Sequence, residues 1–213
     1  MRPGKLFDPA ARLRLEATVM EAERNTEGEI VVVVARACDE YGSAGWRLGV
    51  SFAALVFAGL LAFAAPLAGW IYLAAQAAAL AVAHAVARID AVRRLLLAQP
   101  LVLARVAERA RHAFAANGLA RTQHRTGILI FVALLERRVV VLADEGIHRA
   151  LDPNESWQQV VDLAIDGLRR GDAVNAVNGL EAAIRRCGEI LARHVPAPDR
   201  NPDELANRVV LED

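Results

Sequence analysis

The pattern of apolar and polar positions near the start of the chain indicates a helix followed by a buried strand. Residues 8–25, DPAARLRLEATVMEAERN, repeat apolar side chains at helical spacing, and Asp-Pro at their start is typical of a helix N-terminus. We expect Leu13, Ala17 and Met20 to form the buried stripe of this helix. The run IVVVV at 30–34 is continuously β-branched, which predicts a central strand covered on both faces.

The longest apolar segment follows this strand and carries no charge. No Asp, Glu, Lys or Arg occurs between residues 48 and 87, a length about twice the ~20 residues that one membrane-spanning helix needs. The sequence APLAG at 65–69 interrupts the segment, because proline and glycine favour a turn. We therefore predict two spans, about 48–65 and 70–87.

Basic residues flank the charge-free segment on both sides. Arg47 precedes it, and Arg88, Arg93 and Arg94 follow it, whereas the turn carries no charge. By the positive-inside rule, both ends of the hairpin face the cytoplasm. A buried helical hairpin in a soluble core is the alternative, but a core helix usually presents some charged face to water.

Strand patterns return after the hairpin. A helix is predicted from about Leu101 to Asn117. The apolar runs at 127–134 and 138–143 then predict two strands, joined by a turn that contains Glu136.

The last third of the chain reads as two amphipathic helices and a tail. The first helix is predicted to open with a capping box that runs from Asp152 to Glu155. The second covers about 171–195. Residues 196–213 are polar and rich in proline, so we expect a flexible C-terminal tail.

Together these elements predict an α/β fold: a three-layer α/β/α sandwich with a small mixed sheet, interrupted by a transmembrane helical hairpin. The connection between the first two strands passes through helices, which favours parallel pairing, and the last two strands pair antiparallel. The α/β domain is then discontinuous, 1–46 with 89–195. The two-span hairpin covers 47–88, and the tail covers 196–213.

Composition excludes several classes of protein. The 25 Lys and Arg balance the 25 Asp and Glu, so no basic field indicates a nucleic-acid partner. Cys38 and Cys187 lie far apart, which does not indicate a disulfide scaffold. The histidines lack zinc-site spacing, and no phosphate-binding loop or nucleophile-elbow motif occurs.

Three stretches together carry a family resemblance: TEGEIVVVV at 26–34, RTGILIFVALLERRVVVLADEGI at 125–147 and GLRRGDAVNAVNGLEAAIRRCGEIL at 167–191. In this order they resemble the TPM-domain family, in particular its bacterial membrane subgroup, in which two spans interrupt the domain. The resemblance covers most of the chain and implies an α/β/α sandwich. Together with the orientation given by the positive-inside rule, it predicts a multi-pass protein of the bacterial inner membrane with both termini cytoplasmic.

The resemblance also implies candidate site residues. Family members are associated with photosystem II repair in chloroplasts, with acid-phosphatase-like activity and with modulation of a receptor in animals, and some bind a divalent cation at acidic residues near the edge of the sheet. By motif, the candidate metal ligands here are Glu29, Glu136 and Asp144, and the candidate ions are Ca²⁺ and Mg²⁺. Arg137 and Arg138 stand where the family's hairpin is acidic, which argues against a cage for a hard cation.

Three functions stay open on the sequence. The first is an interaction module for assembly or repair at the cytoplasmic membrane face, with another membrane protein as partner. The second is a divalent-cation-dependent, phosphatase-like hydrolase that uses the three acids. The third is binding of anionic lipid headgroups by Arg137 and Arg138, extended by Arg121, His124 and Arg125. The sequence leaves open whether the protein is an enzyme, because a solvent-exposed strand end and turn would carry the same polar residues without any catalytic role.

Overall fold

One mixed sheet organises the α/β part of the chain. The computed structural model describes residues 3–63, 68–198 and 204–212, and within them the strands are β1 (Glu29–Ala35), β2 (Gly127–Ala133), β3 (Arg138–Ala143) and β4 (Val209–Glu212). Their order across the sheet is β3-β2-β1-β4. β1 and β2 pair in parallel, and β2 and β3 pair antiparallel, as the sequence predicts.

The helices of the described residues cover most of the remaining chain. They are α1 (Pro3–Leu6), α2 (Pro9–Glu23), α3 (Gly42–Phe63), α4 (Gly69–Ala87), α5 (Asp90–Leu96), α6 (Gln99–Ala116), α7 (Glu145–Ala150), α8 (Gln158–Arg169) and α9 (Ala173–His194), with a 3-10 turn at Leu119–Arg121.

The prediction of a flexible tail is wrong for residues 209–212, because they form β4 at the edge of the sheet. β4 runs parallel to β1, with Val209 opposite Val32, and the Val209 side chain is 1% exposed. The Arg109 guanidinium lies 2.8 Å from a Glu212 carboxylate oxygen and holds the end of the strand. Four residues after a proline-rich stretch are too short a run to show a strand pattern, so the contacts to β1 define this element. Residues 199–203 and 213 lie outside the described residues.

The core lies on both sides of β1 and β2, as a central strand requires. Ile30, Val32 and Val34 belong to one buried cluster with apolar side chains of α2, α8 and α9. Val31 and Val33, which point to the opposite face, are at most 2% exposed. Continuous β-branched strands buried on both faces, with helices around them, define a mixed α/β fold.

The predicted buried face of α2 is wrong, although its start is confirmed. The Asp8 carboxylate accepts a hydrogen bond from the Ala11 amide at 2.7 Å, so Asp8 caps the helix. However, Leu13 is 67% exposed and Met20 is 48% exposed, whereas Leu15 and Val19 are fully buried. α2 carries apolar side chains around most of its circumference, so periodicity alone does not select the face that packs.

The predicted capping box of α8 is also wrong. Asp152 caps a turn, with its carboxylate 2.8 Å from the Asn154 amide, and α8 begins only at Gln158. The Glu155 side chain instead lies beside Arg193 of α9, at 3.1 Å. The contact with a neighbouring helix therefore replaces the local capping contact.

The chain divides into two compact units. The α/β unit comprises residues 1–38 and 103–213, and the hairpin unit comprises residues 39–102. The expected boundaries at 46 and 89 differ from these. Residues 39–46, which include the start of α3, belong to the hairpin unit, and so do α5 and the start of α6.

The hairpin unit is built on antiparallel packing of α3 against α4. The rings of Phe57 and Tyr72 meet edge to face, with centroids 6.3 Å apart. Toward the other end, a Cβ on Gly49 would lie 3.6 Å from a methyl group of Leu80. The pairing of 57 with 72 and of 49 with 80 shows that the helices run in opposite directions. Residues 64–67, which hold most of the predicted turn, lie outside the described residues.

Candidate functional site

The predicted metal ligands lie at two different ends of the sheet. Glu29 opens β1 and stands opposite Gly127, the first residue of β2. The Asp144 amide donates to the Gly127 carbonyl at 2.9 Å, so Asp144 lies at this same edge. Glu136 lies in the turn after β2, and the seven residues of β2 extend about 20 Å. The structure therefore places Glu29 and Asp144 where β1 and β2 begin, and it places Glu136 at the opposite end of these strands.

Glu29 uses its carboxylate to hold the segment that leads into β4. The side chain accepts hydrogen bonds from the backbone amides of Glu204 and Leu205, at 3.1 and 3.2 Å. Glu29 is 5% exposed. A buried carboxylate needs such donors, because its oxygens have lost the water that would otherwise solvate them.

Asp144 caps α7 and pairs with Arg125. One carboxylate oxygen accepts the Glu145 amide at 2.8 Å, and the Arg125 guanidinium binds both oxygens at 3.2 Å each. Arg125 has a positive φ of 58°, which turns the chain into β2. This bidentate pair fixes the loop before β2 against the end of β3.

Glu136 contacts the chain where it leaves β1. Its carboxylate accepts the Cys38 amide at 2.8 Å. Burial and the neighbouring Glu136 raise the pKa of the Cys38 thiol to about 12. Cys38 therefore stays a neutral thiol near pH 7, which is the opposite of an activated nucleophile.

The residues expected to form one basic surface for lipid headgroups lie at the two opposite ends of the strands. Arg137 lies in the turn after β2 with a φ of 52°, and Arg138 opens β3; both are exposed. Arg121, His124 and Arg125 precede β2, so they lie at the opposite edge. The expected extension of the Arg137 and Arg138 surface by these three residues is therefore wrong.

At the N-terminal edge of β1 and β2, His124 pairs with an acid. Its ring nitrogen Nδ1 contacts the Glu27 carboxylate, and this hydrogen bond raises the pKa of His124. Among residues 3–63, 68–198 and 204–212, however, no group of three or more His, Cys, Asp or Glu side chains could hold a metal ion.

A cavity of about 380 Å³ lies beside β3, α7 and the start of α8. Its lining residues are Val141, His148, Leu151, Glu155, Ser156, Trp157, Gln158 and Val161. Glu155 forms its best-defined polar wall, with Arg186 at 3.6 Å, Arg193 at 3.1 Å and His194 at 3.4 Å. Sequence reasoning missed this cluster because it assigned Glu155 to a helix cap; the sequence signal was the seven-residue spacing of Arg186 and Arg193 on one face of α9.

The hairpin unit is apolar on its outer surface as well as between its helices. Leu55, Leu61 and Leu73 are 69%, 62% and 73% exposed. Among the described helices, Gly69–Ala87 alone is long and apolar enough to cross a membrane, and only 11% of its apolar window is buried. The apolar part of α3, Gly49–Ala62, is shorter. This length test supports one span where the sequence predicts two.

Comparisons with known proteins show a shared fold and no family. No protein-family model matches the sequence, and no curated protein matches it significantly. The chain is similar to the NMR structure of the BA42 protein from the psychrophilic bacterium Bizionia argentinensis, with a TM-score of 0.58 and 17% identity. The similarity covers 96% of this chain and 94% of that one. At this level of identity, the similarity concerns the fold alone.

Proposed function

We propose that this protein is a membrane-anchored interaction module. The hairpin unit anchors it in the bacterial inner membrane, and the α/β unit recruits another membrane protein at the cytoplasmic face. The TPM-domain resemblance supports the same assignment, because it implies a domain interrupted by two spans. The observation that carries the proposal is the exposed apolar surface of α3 and α4.

The proposal counts both helices as spans, with α4 as the full-length one; the apolar part of α3, Gly49–Ala62, is about 21 Å long. α3 has 22 residues and α4 has 19, which correspond to about 33 Å and 28 Å of helix. A hydrocarbon core is about 30 Å thick. The apolar part of α3 begins at Gly49, after Arg47. Trp46 and Trp70 are 68% and 70% exposed near the starts of the two helices, and tryptophan favours the headgroup level.

The α/β unit offers an apolar helix face to a partner. Leu13, Ala17 and Met20 are spaced i, i+4 and i+7 on α2 and are all exposed. Side chains at this spacing form one stripe of a helix, and such a stripe is a common anchor in helix recognition. An apolar stripe exposed to water lowers the solubility of a protein, and a bound partner would cover it.

Alkaline carbonate extraction tests the anchor. The full chain should stay in the membrane pellet, because apolar spans resist release. We expect Leu55→Glu with Leu73→Glu to move a large fraction of the protein to the supernatant, because each charge is costly within the hydrocarbon. Leu13→Glu, in the α/β unit, is the matched control and should stay in the pellet. Release of the unchanged protein would contradict the anchor.

Crosslinking in native membranes tests recruitment. The unchanged protein should yield a discrete crosslinked partner, and Leu13→Glu with Met20→Glu should lose most of it. Val174→Glu is the control, because Val174 is 66% exposed on α9 of the same unit. Equal crosslinking by the α2 variant would sink the assignment of this face, and the absence of any specific partner would sink the proposed function.

The two alternatives lack comparable support. A phosphatase-like hydrolase that uses Ca²⁺ or Mg²⁺ needs its acids to converge, but Glu136 lies across the sheet from Glu29. Headgroup binding by Arg137 and Arg138 rests on two exposed arginines and stays a prediction.

A further inference from the structure

We propose that the hairpin unit binds the phosphate groups of anionic phospholipids through a basic collar at its open end, which is the end where α3 begins and α4 ends. The collar consists of Arg47, Arg88, Arg93 and Arg94. This inference rests on the proposed membrane anchor and adds a class of lipid and a set of binding residues to it.

The fold gathers these charges at one end of the hairpin. Because α3 and α4 are antiparallel, Arg47 near the start of α3 and Arg88 after the end of α4 lie at the same end. The Arg93 guanidinium donates to the backbone carbonyl of Glu40, which ties α5 to the segment ahead of α3. The chain between residues 48 and 87 carries no charge, so the open end holds the basic charge of the hairpin.

The chain changes direction where it reaches the collar. The amides of Arg88 and Ile89 still donate to the carbonyls of Ala85 and Val86, at 3.2 and 3.0 Å. Ile89 is then extended, with φ −74° and ψ 120°, so α5 is a separate short helix and not a continuation of α4. A change of direction directly after an apolar span is what a segment at the headgroup level requires.

Apolar side chains stand among the arginines and select a bilayer over free anions. Leu95 is 86% exposed and Ile89 is 53% exposed. Both follow α4 within eight residues of its end at Ala87. Arginine beside exposed leucine and isoleucine is the pattern of a segment that places its apolar side chains at the acyl boundary and its charges at the phosphates.

Guanidinium is suited to phosphate, and Arg88 and Arg94 are the collar members that the test uses, because Arg93 already donates to the Glu40 carbonyl. Within the described residues, Arg88 and Arg94 have no ion pair, although the acids Asp39, Glu40 and Asp90 belong to the same unit. Guanidinium binds phosphate oxygens in a bidentate manner. Near an anionic membrane surface, each arginine strengthens binding about fivefold, so removing two should weaken it about 25-fold.

The test uses the full chain in neutral detergent, with thermal unfolding as the measurement. Dioleoyl phosphatidylglycerol should raise the melting temperature, whereas dioleoyl phosphatidylcholine at the same mole fraction should not. In Arg88→Gln with Arg94→Gln, the phosphatidylglycerol dependence should shift to about 25-fold higher lipid. Lysine at both positions should retain much of the effect, which separates loss of charge from loss of folding.

The control variant is Arg137→Gln with Arg138→Gln, which keeps the collar intact and should respond like the unchanged protein. An unchanged lipid response in the collar variant would overturn the proposal, as would loss of the response in the control instead. Stabilisation by inorganic phosphate at the same concentrations would assign the site to a free anion and also overturn it. A protein that resists carbonate extraction but shows no preference for phosphatidylglycerol refutes the collar alone, whereas release by carbonate refutes the anchor.

Discussion

At the scale of single residues, the three acids that the sequence offers as metal ligands act as acceptors for backbone amides. Glu29 accepts from Glu204 and Leu205, Glu136 from Cys38, and Asp144 from Glu145. Sequence reasoning could predict acids at strand ends, because these positions are polar by necessity. It could not predict that Glu29 contacts a segment 175 residues later in the chain, because only the folded sheet brings the two together.

Glu29→Ala should reduce the free energy of unfolding by about 1–3 kcal/mol, because two partly buried backbone amides lose a charged acceptor. Chemical unfolding of the full chain in detergent, without added metal, measures this change. Glu108→Ala is the control, because Glu108 is an exposed acid on α6 with a side chain that is 67% accessible. Its removal should change stability by less than about 0.5 kcal/mol.

The cation hypothesis predicts a different result for the same variant. If Ca²⁺ or Mg²⁺ raised the melting temperature of the unchanged protein and not that of Glu29→Ala, then Glu29 would be a metal ligand. Equal behaviour of both proteins across millimolar metal would leave the amide contacts as the role of this carboxylate.

At the scale of elements, the buried face could be predicted from the sequence for a helix with apolar side chains on one face. It could not be predicted for a helix with apolar side chains around most of its circumference. α9 carries its large apolar side chains on one face, and Leu180, Ile184 and Ile190 are fully buried, as the pattern predicts. α2 offers two apolar stripes, and the one that packs faces α9 through Ala22, where a Cβ on Gly188 would lie 2.7 Å from the Ala22 Cβ. The choice of face therefore depends on the shape of the neighbouring helix.

α8 and α9 meet through two glycines, which gives an element-scale prediction. A Cβ on Gly179 would lie 2.7 Å from the Gly167 Cα and 2.9 Å from the Leu163 carbonyl oxygen. Gly179→Ala should therefore destabilise the protein by about 1–3 kcal/mol, because the backbones must move apart. Gly4→Ala is the control, since no heavy atom lies within 4 Å of its Cβ.

The measurement is again the unfolding free energy of the full chain. An equal or higher stability of Gly179→Ala would mean that the close approach of α8 and α9 is absent in solution. In that case the better helix propensity of alanine would be the dominant effect.

At the scale of the whole molecule, topology decided which candidate residues could meet. Glu29 is the first residue of β1 and Glu136 follows β2, and these two strands are parallel. Residues at the start of one parallel strand and after the end of its neighbour necessarily lie at opposite edges. The predicted parallel pairing of β1 and β2 therefore already implied that Glu136 lies far from Glu29. β4, in contrast, could not be predicted, because its sequence is short and its partner lies at the other end of the chain.

The parallel pairing of β1 with β4 fixes the order in which the protein can be completed during synthesis. β1 leaves the ribosome before the hairpin helices and α9, and β4 follows all of them. The edge of β1 that pairs with β4 therefore stays open until residues 209–212 have been made. A nascent chain that stalls before residue 209 presents an unpaired β-branched edge, which is a site for aggregation unless another protein shields it.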